Sequence, residues 1–313
     1  MDLKEQEYVL AIAHYGNLKD ASEEVGITPP GLSTFISTLE RRLGSPLFHR
    51  VGKRFVPTDA GKSYIFYAKK MYAFKRDFDA KLSDIKNEVT GQLNIGLQVI
   101  RANVVFPPTM KLFSDKYPYV DVNIFEGSND DLFEKLLSGN LDFIVVNKKI
   151  RNSFLEYRSI YNDRLVCILS QENKAIRSAT NIEGEKLKYL DLSILDGETF
   201  IMPSPVLATR GYVDKAIAYS KATPGRMLTL ENLGTITQLA AEGVGVGFSL
   251  HRFTRYLMYP KPFSAFLVGD MKVYPTYYIV KRKDRYMPKY ASFFMDKLIA
   301  LSLASPENSP ENS

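Results

Sequence analysis

A polar face on one predicted helix near the start of the chain carries side chains suited to hydrogen bonding with nucleic acid. The apolar residues of this segment recur at spacings of four, three and four residues: Leu32, Ile36, Leu39 and Leu43. This period predicts an amphipathic helix with one buried stripe. The opposite face carries Ser33, Thr34, Ser37 and Arg41. Hydroxyl and guanidinium groups bond to base edges and phosphates, so this face is a candidate DNA-reading surface, with a solvated helix face as the alternative.

The residues before this helix predict a helix-turn-helix. Gly26 ends a short preceding helix, and Thr28 can cap the next one. Pro29 and Pro30 then fall in its first turn, where a missing N–H costs little. Such a motif presents the N-terminal residues of its second helix to the major groove. Thr28, Pro29 and Pro30 therefore join the candidate DNA-binding residues.

The charge of the following segment favours a polyanionic partner. Residues 41–76 contain ten Lys or Arg and one acidic residue, whereas residues 1–40 contain two Lys and seven acidic residues. On a chain with a net charge of +6, this local excess is typical of a nucleic-acid-binding surface.

A wing is predicted directly after the polar helix, from a turn at Gly52 and the alternating residues that follow it. Its cations are Arg50, Lys53 and Arg54. Those at the tip would lie along phosphates or enter the minor groove. A solvated loop is the alternative.

A long helix is predicted from its cap, Thr58, to about Val89. One set of positions follows near-heptad spacing: Ile65, Ala68, Tyr72, Lys75, Phe78, Leu82, Ile85 and Val89. At 1.5 Å per residue such a helix is roughly 45 Å long and cannot bury this stripe on the small domain before it. The prediction is a linker helix that pairs with its copy in a homodimer. A helix packed wholly within one subunit is the alternative.

After residue 90 the pattern changes to alternating strands and helices, which predicts parallel sheets covered by helices. The first set has strands at Gln92–Leu97, Tyr119–Phe125 and Asp142–Val146 and helices at Val104–Lys116 and Asp130–Leu137. The second has strands at Arg164–Ser170, Thr199–Met202, Arg226–Glu231 and Val246–Leu250, a helix at Thr209–Ser220 and a helix ending at Glu242. A last strand at Val273–Lys281, a closing helix at Pro288–Leu303 and a polar, disordered tail at 304–313 complete the prediction.

Composition argues against several other functions. The single cysteine, Cys167, excludes an internal disulfide and a multi-cysteine metal site, and its apolar neighbours predict a structural residue in a buried strand. The three histidines lack the spacing of metal ligands, so they give no support for a metal centre. The sequence has no nucleophile elbow to support a hydrolase. Its glycine run enters a strand rather than a helix, which gives no support for a dinucleotide site. We therefore expect no cofactor and no catalysis. The sequence has neither an 18-residue apolar run nor an apolar leader, so a cytoplasmic protein without a membrane span is expected.

Short motifs at fixed offsets over about 60 residues carry a family resemblance. They are Gly16-Asn-Leu with Ala21-Ser, the run Leu39-Glu40, Leu43-Gly44, Leu47-Phe48 and Arg50, and Thr58-Asp-Ala-Gly61. They resemble the amino-terminal domain of LysR-type transcriptional regulators. That family usually opens its reading helix with Ser-Gln-Pro or Ser-Gln-Ser and follows its serine with Arg-Gln or Gln-Gln, where this chain has Thr28-Pro29-Pro30 and Thr34-Phe35. The loss of those amides removes bidentate base readers, so the recognised DNA sequence does not carry over from relatives.

The later part of the chain resembles the effector domain of the same family, which is itself similar to periplasmic solute-binding proteins. The matching landmarks are Leu93–Gly96, Tyr117-Pro118, Glu126-Gly127, Gly139–Asp142 and Ala240–Gly247. The resemblance implies an α+α/β architecture: a winged helix-turn-helix over 1–58, a linker helix over 59–89 and a two-lobed α/β effector-binding domain over 90–303. Lobe 1 would combine about 91–162 with 268–303, and lobe 2 would be about 163–267.

Ligands of open α/β sheets bind beyond the carboxyl ends of the strands, where helix N-termini point. In lobe 1 this rule selects Gln98, Val99, Ile100, Arg101, Ser128, Asn129 and Asn147. Across the cleft it selects Pro203, Ser204 and Phe248. Ser128 and Asn129 are equally explained as helix caps, and Arg101 would pair either with an effector carboxylate or with Glu126. The family often has Ser or Thr where Gln98, Val99 and Ile100 stand, which argues against an anionic effector held by hydroxyls.

Two functions of different classes fit these patterns. The first is a sequence-specific DNA-binding regulator whose occupancy or bend on double-stranded DNA is changed by a small-molecule effector. Its other expected partners are a second copy through the linker helix, a further pairing into a dimer of dimers, and RNA polymerase. The alternative is a solute-binding or sensing module whose basic helices serve only oligomer contacts.

Overall fold

The N-terminal part of the chain forms a winged helix-turn-helix. The protein is described by a computed structural model over residues 3–52, 54–86, 90–98, 106–256 and 258–303. Its first elements are Lys4–Tyr15 (α1), Leu18–Glu24 (α2), Pro29–Leu43 (α3), Phe48–Val51 (β1) and Arg54–Pro57 (β2). The predictions for Lys53, residues 87–89, Val99, Ile100, Arg101 and the tail at 304–313 concern residues outside the described ranges.

Local sequence determines both ends of α3. The Oγ1 atom of Thr28 accepts a hydrogen bond from the N–H of Gly31 at 3.2 Å, as expected of a cap. Two prolines occupy the first two helical positions, and Gly44 ends the helix with a left-handed φ of 67°. Leu43 does not belong to the buried stripe predicted for it: it is 46% exposed, because it is the last residue before the chain turns away.

The linker helix α4 spans Asp59–Lys86, and its start is fastened to the domain before it. The hydroxyl of Thr58 accepts a hydrogen bond from the N–H of Gly61 at 2.9 Å and donates one to the carbonyl of Pro46 at 2.7 Å. A Cβ atom at Gly61 would lie 1.9 Å from the carbonyl oxygen of Leu47. Only glycine therefore permits the close approach of the helix to this loop.

The remaining helices and strands form two α/β lobes. The elements are Gly91–Leu97 (β3), Phe106–Lys116 (α5), Val120–Glu126 (β4), Asn129–Leu137 (α6), Phe143–Val146 (β5), Leu155–Asn162 (β6), Leu165–Ser170 (β7), Thr199–Pro203 (β8), Ala208–Ser220 (α7), Arg226–Leu230 (β9), Leu233–Ala241 (α8), Val246–Leu250 (β10), His251–Tyr256 (α9), Phe263–Leu267 (β11), Thr276–Arg282 (β12) and Lys289–Leu303 (α10). Short 3-10 turns lie at Lys174–Ser178 and Leu192–Leu195.

Lobe 1 is a five-stranded sheet with the order β4-β3-β5-β12-β6. Strand β3 is parallel to β4 and β5, whereas β12 is antiparallel to β5 and β6. Phe143 of β5 contacts Phe294 of α10 on one face of the sheet, and Ile144 belongs to the core cluster of α6 on the other. Because helices cover both faces, β5 is apolar along its whole length, which explains why it was predictable as a buried strand.

Lobe 2 repeats this design with the order β11-β7-β10-β8-β9. Strands β8, β9 and β10 are parallel, and β7 runs antiparallel to β10 and β11. The chain enters this sheet after β6 and leaves it after β11, so lobe 2 is one continuous segment, whereas lobe 1 combines β3 to β6 with the returning strand β12.

Two strands and one short helix were not predicted from the sequence: β6, β11 and α9. In β6 the buried residues are Leu155, Ile160 and Tyr161, which do not alternate, because the pairing of β12 with β6 shifts register between Tyr277 and Tyr278. Strand β12 begins at Thr276 rather than at Val273, since the N–H of Val273 closes a turn onto the carbonyl of Asp270 at 2.9 Å.

An ion network with buried members joins the linker helix to lobe 1. The guanidinium of Arg76 donates to the carbonyl of Gly139 at 3.0 Å and to Asp142 at 3.1 Å. Arg285, whose side chain is 4% exposed, donates to Asp77 at 2.6 Å and to the same Gly139 carbonyl at 3.3 Å. Burial raises the pKa of Asp142, while Arg76 and Arg285 act in the opposite direction. The helix is thereby held to the turn after α6.

This turn also packs closely on the linker helix. Gly139 has a φ of +83°, and a Cβ atom there would lie 2.7 Å from the Cβ of Ala73. Both the backbone conformation and the contact therefore require glycine at this position.

The exposed apolar face of α4 differs in part from the predicted stripe. Ala68 was predicted on it, but is 1% exposed, because it packs inside the subunit. The exposed face, called here the linker stripe, consists of Tyr67, Met71, Phe74, Phe78, Leu82 and Ile85. Its spacings of three and four residues place these side chains along one side of the helix.

Candidate nucleic-acid interface and inter-lobe cleft

The outward face of α3 is open to solvent over most of its length. Thr34, Ser37 and Arg41 are exposed, and Ser33 is half-buried. The hydroxyl of Ser37 donates to the carbonyl of Ser33 at 3.0 Å, so its oxygen stays available as an acceptor. At the start of the helix Thr28, Pro29 and Pro30 are also exposed. These seven predicted residues therefore share one accessible surface.

The wing lies beside this surface. Strands β1 and β2 form an antiparallel hairpin, and the N–H of Phe55 donates to the carbonyl of Gly16 at 2.8 Å, which ties the hairpin to the end of α1. The guanidinium of Arg50 lies over the ring of Phe55 at 5.0 Å from its centroid. Arg50 and Arg54 are both exposed, so the wing presents cations that no carboxylate of the described residues neutralises.

A cavity of about 390 Å³ separates the two lobes. Of the predicted residues, Gln98, Ser128, Asn129 and Asn147 line it. Lobe 2 contributes Val206, Leu207, Ala208, Thr209, Glu231, Asn232 and Leu250, and Tyr277 of β12 completes the lining with Gly127. The cavity thus lies where the rule for open α/β sheets places a ligand.

Pro203, Ser204 and Phe248 are not among the lining residues. Phe248 is fully buried and packs on Phe200 with ring centroids 5.4 Å apart, so its side chain points into the core. Ser204 is 8% exposed and its N–H donates to the carbonyl of Leu230 at 2.8 Å. The lobe 2 wall is formed instead by residues 206–209 and Leu250, a few positions further along the chain, and by Glu231 and Asn232.

Two lining residues that were not predicted lie directly at the end of a strand. Glu231 and Asn232 directly follow β9, so the same rule about strand ends applied to this strand would have selected them. Tyr277 lies on an antiparallel strand and had no such signal.

Polar side chains on the lobe 1 wall form a chain of hydrogen bonds. The Nδ2 of Asn129 donates to Oδ1 of Asn147 at 3.2 Å, and the Nδ2 of Asn147 donates to the hydroxyl of Tyr277 at 3.3 Å. Ser128 is the N-cap of α6 in a capping box with Asp131, which confirms the cap interpretation for Ser128. Hydrogen bonds from the hydroxyl and N–H of Ser128 lower the pKa of Asp131.

Other groups that could react or bind a ligand are few among the described residues. Cys167 is fully buried in β7, and burial raises its pKa to about 12. Arg210 is held by Asp214 at 2.8 Å and by the carbonyl of Pro203 at 3.2 Å, which makes it structural. Within the described ranges no cluster of three or more His, Cys, Asp or Glu could hold a metal ion. None of the described helices combines the length and the apolar character needed to cross a membrane.

Two family models together match almost the whole chain. The model described as "Bacterial regulatory helix-turn-helix protein, lysR family" matches residues 3–62, and that described as "LysR substrate binding domain" matches residues 86–301. The chain is similar to the HTH-type transcriptional regulator CbbR of Rhodospirillum rubrum, with 24% identity over 92% of this chain and 93% of that protein. It is also similar to the uncharacterized HTH-type transcriptional regulator YcgK of Bacillus subtilis, with 24% identity over 95% and 93% of the two chains.

Solved structures share the fold. A full-length OxyR variant from Pseudomonas aeruginosa superposes with a TM-score of 0.72 at 19% identity, covering 97% of this chain and 95% of that one. Full-length CbnR complexed with its target DNA gives a TM-score of 0.63 at 17% identity, covering 96% and 100%. The architecture of these structures is the one predicted, a helix-turn-helix domain followed by a two-lobed α/β domain. The chain belongs to the LysR family of DNA-binding transcriptional regulators, in which a helix-turn-helix domain is joined to an effector-binding domain.

Proposed function

We propose that this regulator reads double-stranded DNA through the outward face of α3 and holds phosphates with the cations of its wing. The observation that carries the proposal is the exposure of Thr34, Ser37 and Arg41 on a helix whose other side is buried. Hydroxyls can bond to any base edge, whereas the amides that discriminate adenine most sharply are missing from this face. We therefore expect modest direct discrimination between bases and a large phosphate contribution to affinity.

The linker stripe supports a homodimer. Its six apolar side chains are between 38% and 68% exposed on one side of a 28-residue helix. A solvated helix surface normally carries polar residues there, so a second copy of the helix is the natural cover. Two subunits paired in this way place two reading helices on one duplex. A further pairing of dimers, and contact with RNA polymerase, extend this proposal.

Helix α6 supplies a route from the cleft to the linker helix. Its N-terminal residues, Ser128 and Asn129, line the cavity between the lobes. Its C-terminal turn ends at Gly139, whose carbonyl accepts hydrogen bonds from Arg76 of α4 and from Arg285. An effector that moves α6 would therefore move the linker helix. Coupling between such sites is worth roughly 1–3 kcal/mol in known allosteric proteins.

The limits of the domains remain those predicted, 1–58, 59–89 and 90–303, and the protein is proposed to act in the cytoplasm without catalysing a reaction. Within the last domain, lobe 1 is proposed to combine about 91–162 with 268–303 and lobe 2 to be about 163–267; the return of β12 to pair with β5 and β6 supports this division into lobes.

Salt dependence of duplex binding tests the DNA-reading proposal. A preferred duplex is first selected from a random pool, and its affinity is then measured by fluorescence anisotropy at 50 and 200 mM salt. If about six to ten phosphates are neutralised per dimer, the affinity should fall by roughly 10³ to 10⁵ across this range. A flat profile, or no duplex binding, would favour a sensing module that does not bind DNA.

Two single substitutions separate phosphate contact from base reading. Arg54→Ala should weaken the binding of selected and random duplexes by the same factor, and Ser33→Ala should change the ratio between them. The controls are Arg177→Ala and Ser63→Ala, which remove the same groups from exposed positions outside the proposed surface. Equal effects of both test substitutions on both duplexes would contradict the assigned roles.

A further inference from the structure

The lobe 2 wall of the cavity offers a place for a negative group. Helix α7 has thirteen residues, and its N-cap, Leu207, supplies no side-chain hydrogen bond. No hydrogen bond among the described residues uses the backbone N–H of Ala208 or Thr209, and both residues line the cavity. Uncapped N–H groups at the positive end of a helix dipole favour an anion such as a carboxylate.

The lobe 1 wall requires a hydrogen-bond donor from the ligand. Asn129 is 9% exposed, and its Nδ2 is already bonded to Asn147. Its Oδ1 is buried and has no partner in the part of the chain that the structure describes. A buried acceptor without a partner costs about 1–3 kcal/mol, which a donor on a bound molecule would recover.

A carboxylate on the cavity lining favours a positive charge on that donor. Glu231 lines the cavity, is exposed, and makes no ion pair or hydrogen bond with the other described residues. Its neighbour Asn232 is occupied as the cap of α8, accepting from the N–H of Thr235 at 3.1 Å. Among the described lining residues there is no Lys, Arg or His, so Glu231 is their one charged side chain.

We infer that the cleft binds a small zwitterion, with a carboxylate at the start of α7 and an ammonium group near Asn129 and Glu231. The inference rests on the proposed effector role of this cavity. A volume of about 390 Å³ limits the ligand's size. At roughly 30 Å³ for a water-sized unit, it admits about a dozen non-hydrogen atoms. Amino acids and other short aminocarboxylates have this size and both charges.

The first experiment measures binding to the full chain by thermal shift and titration calorimetry. The probes are the twenty common amino acids, γ-aminobutyrate and 6-aminohexanoate, each beside the carboxylate without the amine and the amine without the carboxylate. We expect at least one aminocarboxylate to bind saturably and at least about ten-fold more tightly than either matched compound, since one charge-assisted contact is then lost. Succinate or inorganic phosphate binding as tightly, or no saturable binding by any aminocarboxylate, would overturn the inference.

The second experiment assigns the charges. Glu231→Gln should weaken the best aminocarboxylate about ten- to a hundred-fold, while the matched carboxylate is unaffected. Glu183→Gln is the control, because it removes one exposed carboxylate from lobe 2 outside the cavity lining. Equal weakening by both variants would also overturn the inference. Duplex binding is measured on the same preparations. It should persist if only the ligand inference fails, and it should be absent if the DNA-reading proposal fails.

Discussion

A charge placed at the centre of the linker stripe should separate the proposed dimer. Phe78 lies near the middle of the stripe and is 52% exposed in the single subunit. Phe78→Asp replaces this apolar surface with a carboxylate, which would have to lose its hydration on pairing. The substitution faces solvent in the isolated subunit, so it should leave the fold of that subunit intact.

The expected magnitude follows from the exposed area. A phenylalanine side chain has roughly 200 Å² of surface, so about half of it, roughly 100 Å², is available at Phe78 for burial by a partner. At about 25 cal/mol per Å² this is about 2.5 kcal/mol for each copy, or about 5 kcal/mol for a symmetric pair. Incomplete burial lowers the sum, and we expect the dimer dissociation constant to rise by about 10² to 10⁴.

Sedimentation velocity over a range of protein concentrations measures this change. Phe154→Asp is a matched control, since Phe154 is 62% exposed and lies in lobe 1 outside the linker stripe. The control should keep the mass of the unsubstituted protein, and Phe78→Asp should sediment as a monomer at the same concentrations. An unchanged mass for Phe78→Asp, or an equal loss in the control, would refute the role of the linker stripe.

Three further predictions concern stability and reactivity. Arg285→Met should lower the free energy of unfolding in urea by about 3–5 kcal/mol, because Asp77 loses its guanidinium partner and Asp142 keeps only Arg76. The deficit should shrink as the pH falls, since burial holds the pKa of Asp142 above its unfolded value and protonation removes the charge; an equal deficit at all pH values would contradict this. Gly61→Ala should lower the Tm because its Cβ would meet the Leu47 carbonyl at 1.9 Å, whereas Gly211→Ala in α7, with nothing within 4 Å, should raise it slightly. Cys167 should resist thiol reagents at pH 8 until the protein unfolds, and rapid labelling of the native protein would show that its burial is wrong.

The winged helix-turn-helix was the part of the fold most predictable from sequence, because local chemistry determines it. Thr28, the two prolines after it and Gly44 specify the ends of α3 without help from distant residues. The buried strands β5, β8 and β10 were predictable for a related reason. They are buried along nearly their whole length, and their largely apolar runs are visible in the sequence.

The features that were missed depend on contacts between distant segments. The heptad pattern of α4 could not show that Ala68 and Ala73 are buried within the subunit. The predicted stripe therefore included one buried residue, Ala68. The cleft wall of lobe 2 was misplaced by a few residues, because the strand-end rule does not say where the loop after β8 turns towards the cavity. The ion network between Asp77 and Arg285 joins residues 208 positions apart and has no local sequence signal.

The contact between Gly139 and Ala73 has a geometric consequence for DNA binding. The 28-residue linker helix acts as a lever about 42 Å long at 1.5 Å per residue, and this contact lies near the middle of it. A tilt of about 10° about this contact would carry each end of the helix, roughly 21 Å away, through about 3.7 Å, close to the rise of about 3.4 Å between successive base pairs. We therefore expect side-chain volume at positions 73 and 139 to influence the separation of the two half-sites that the proposed dimer can span, and proteins of this architecture with larger residues there to prefer operators of different spacing.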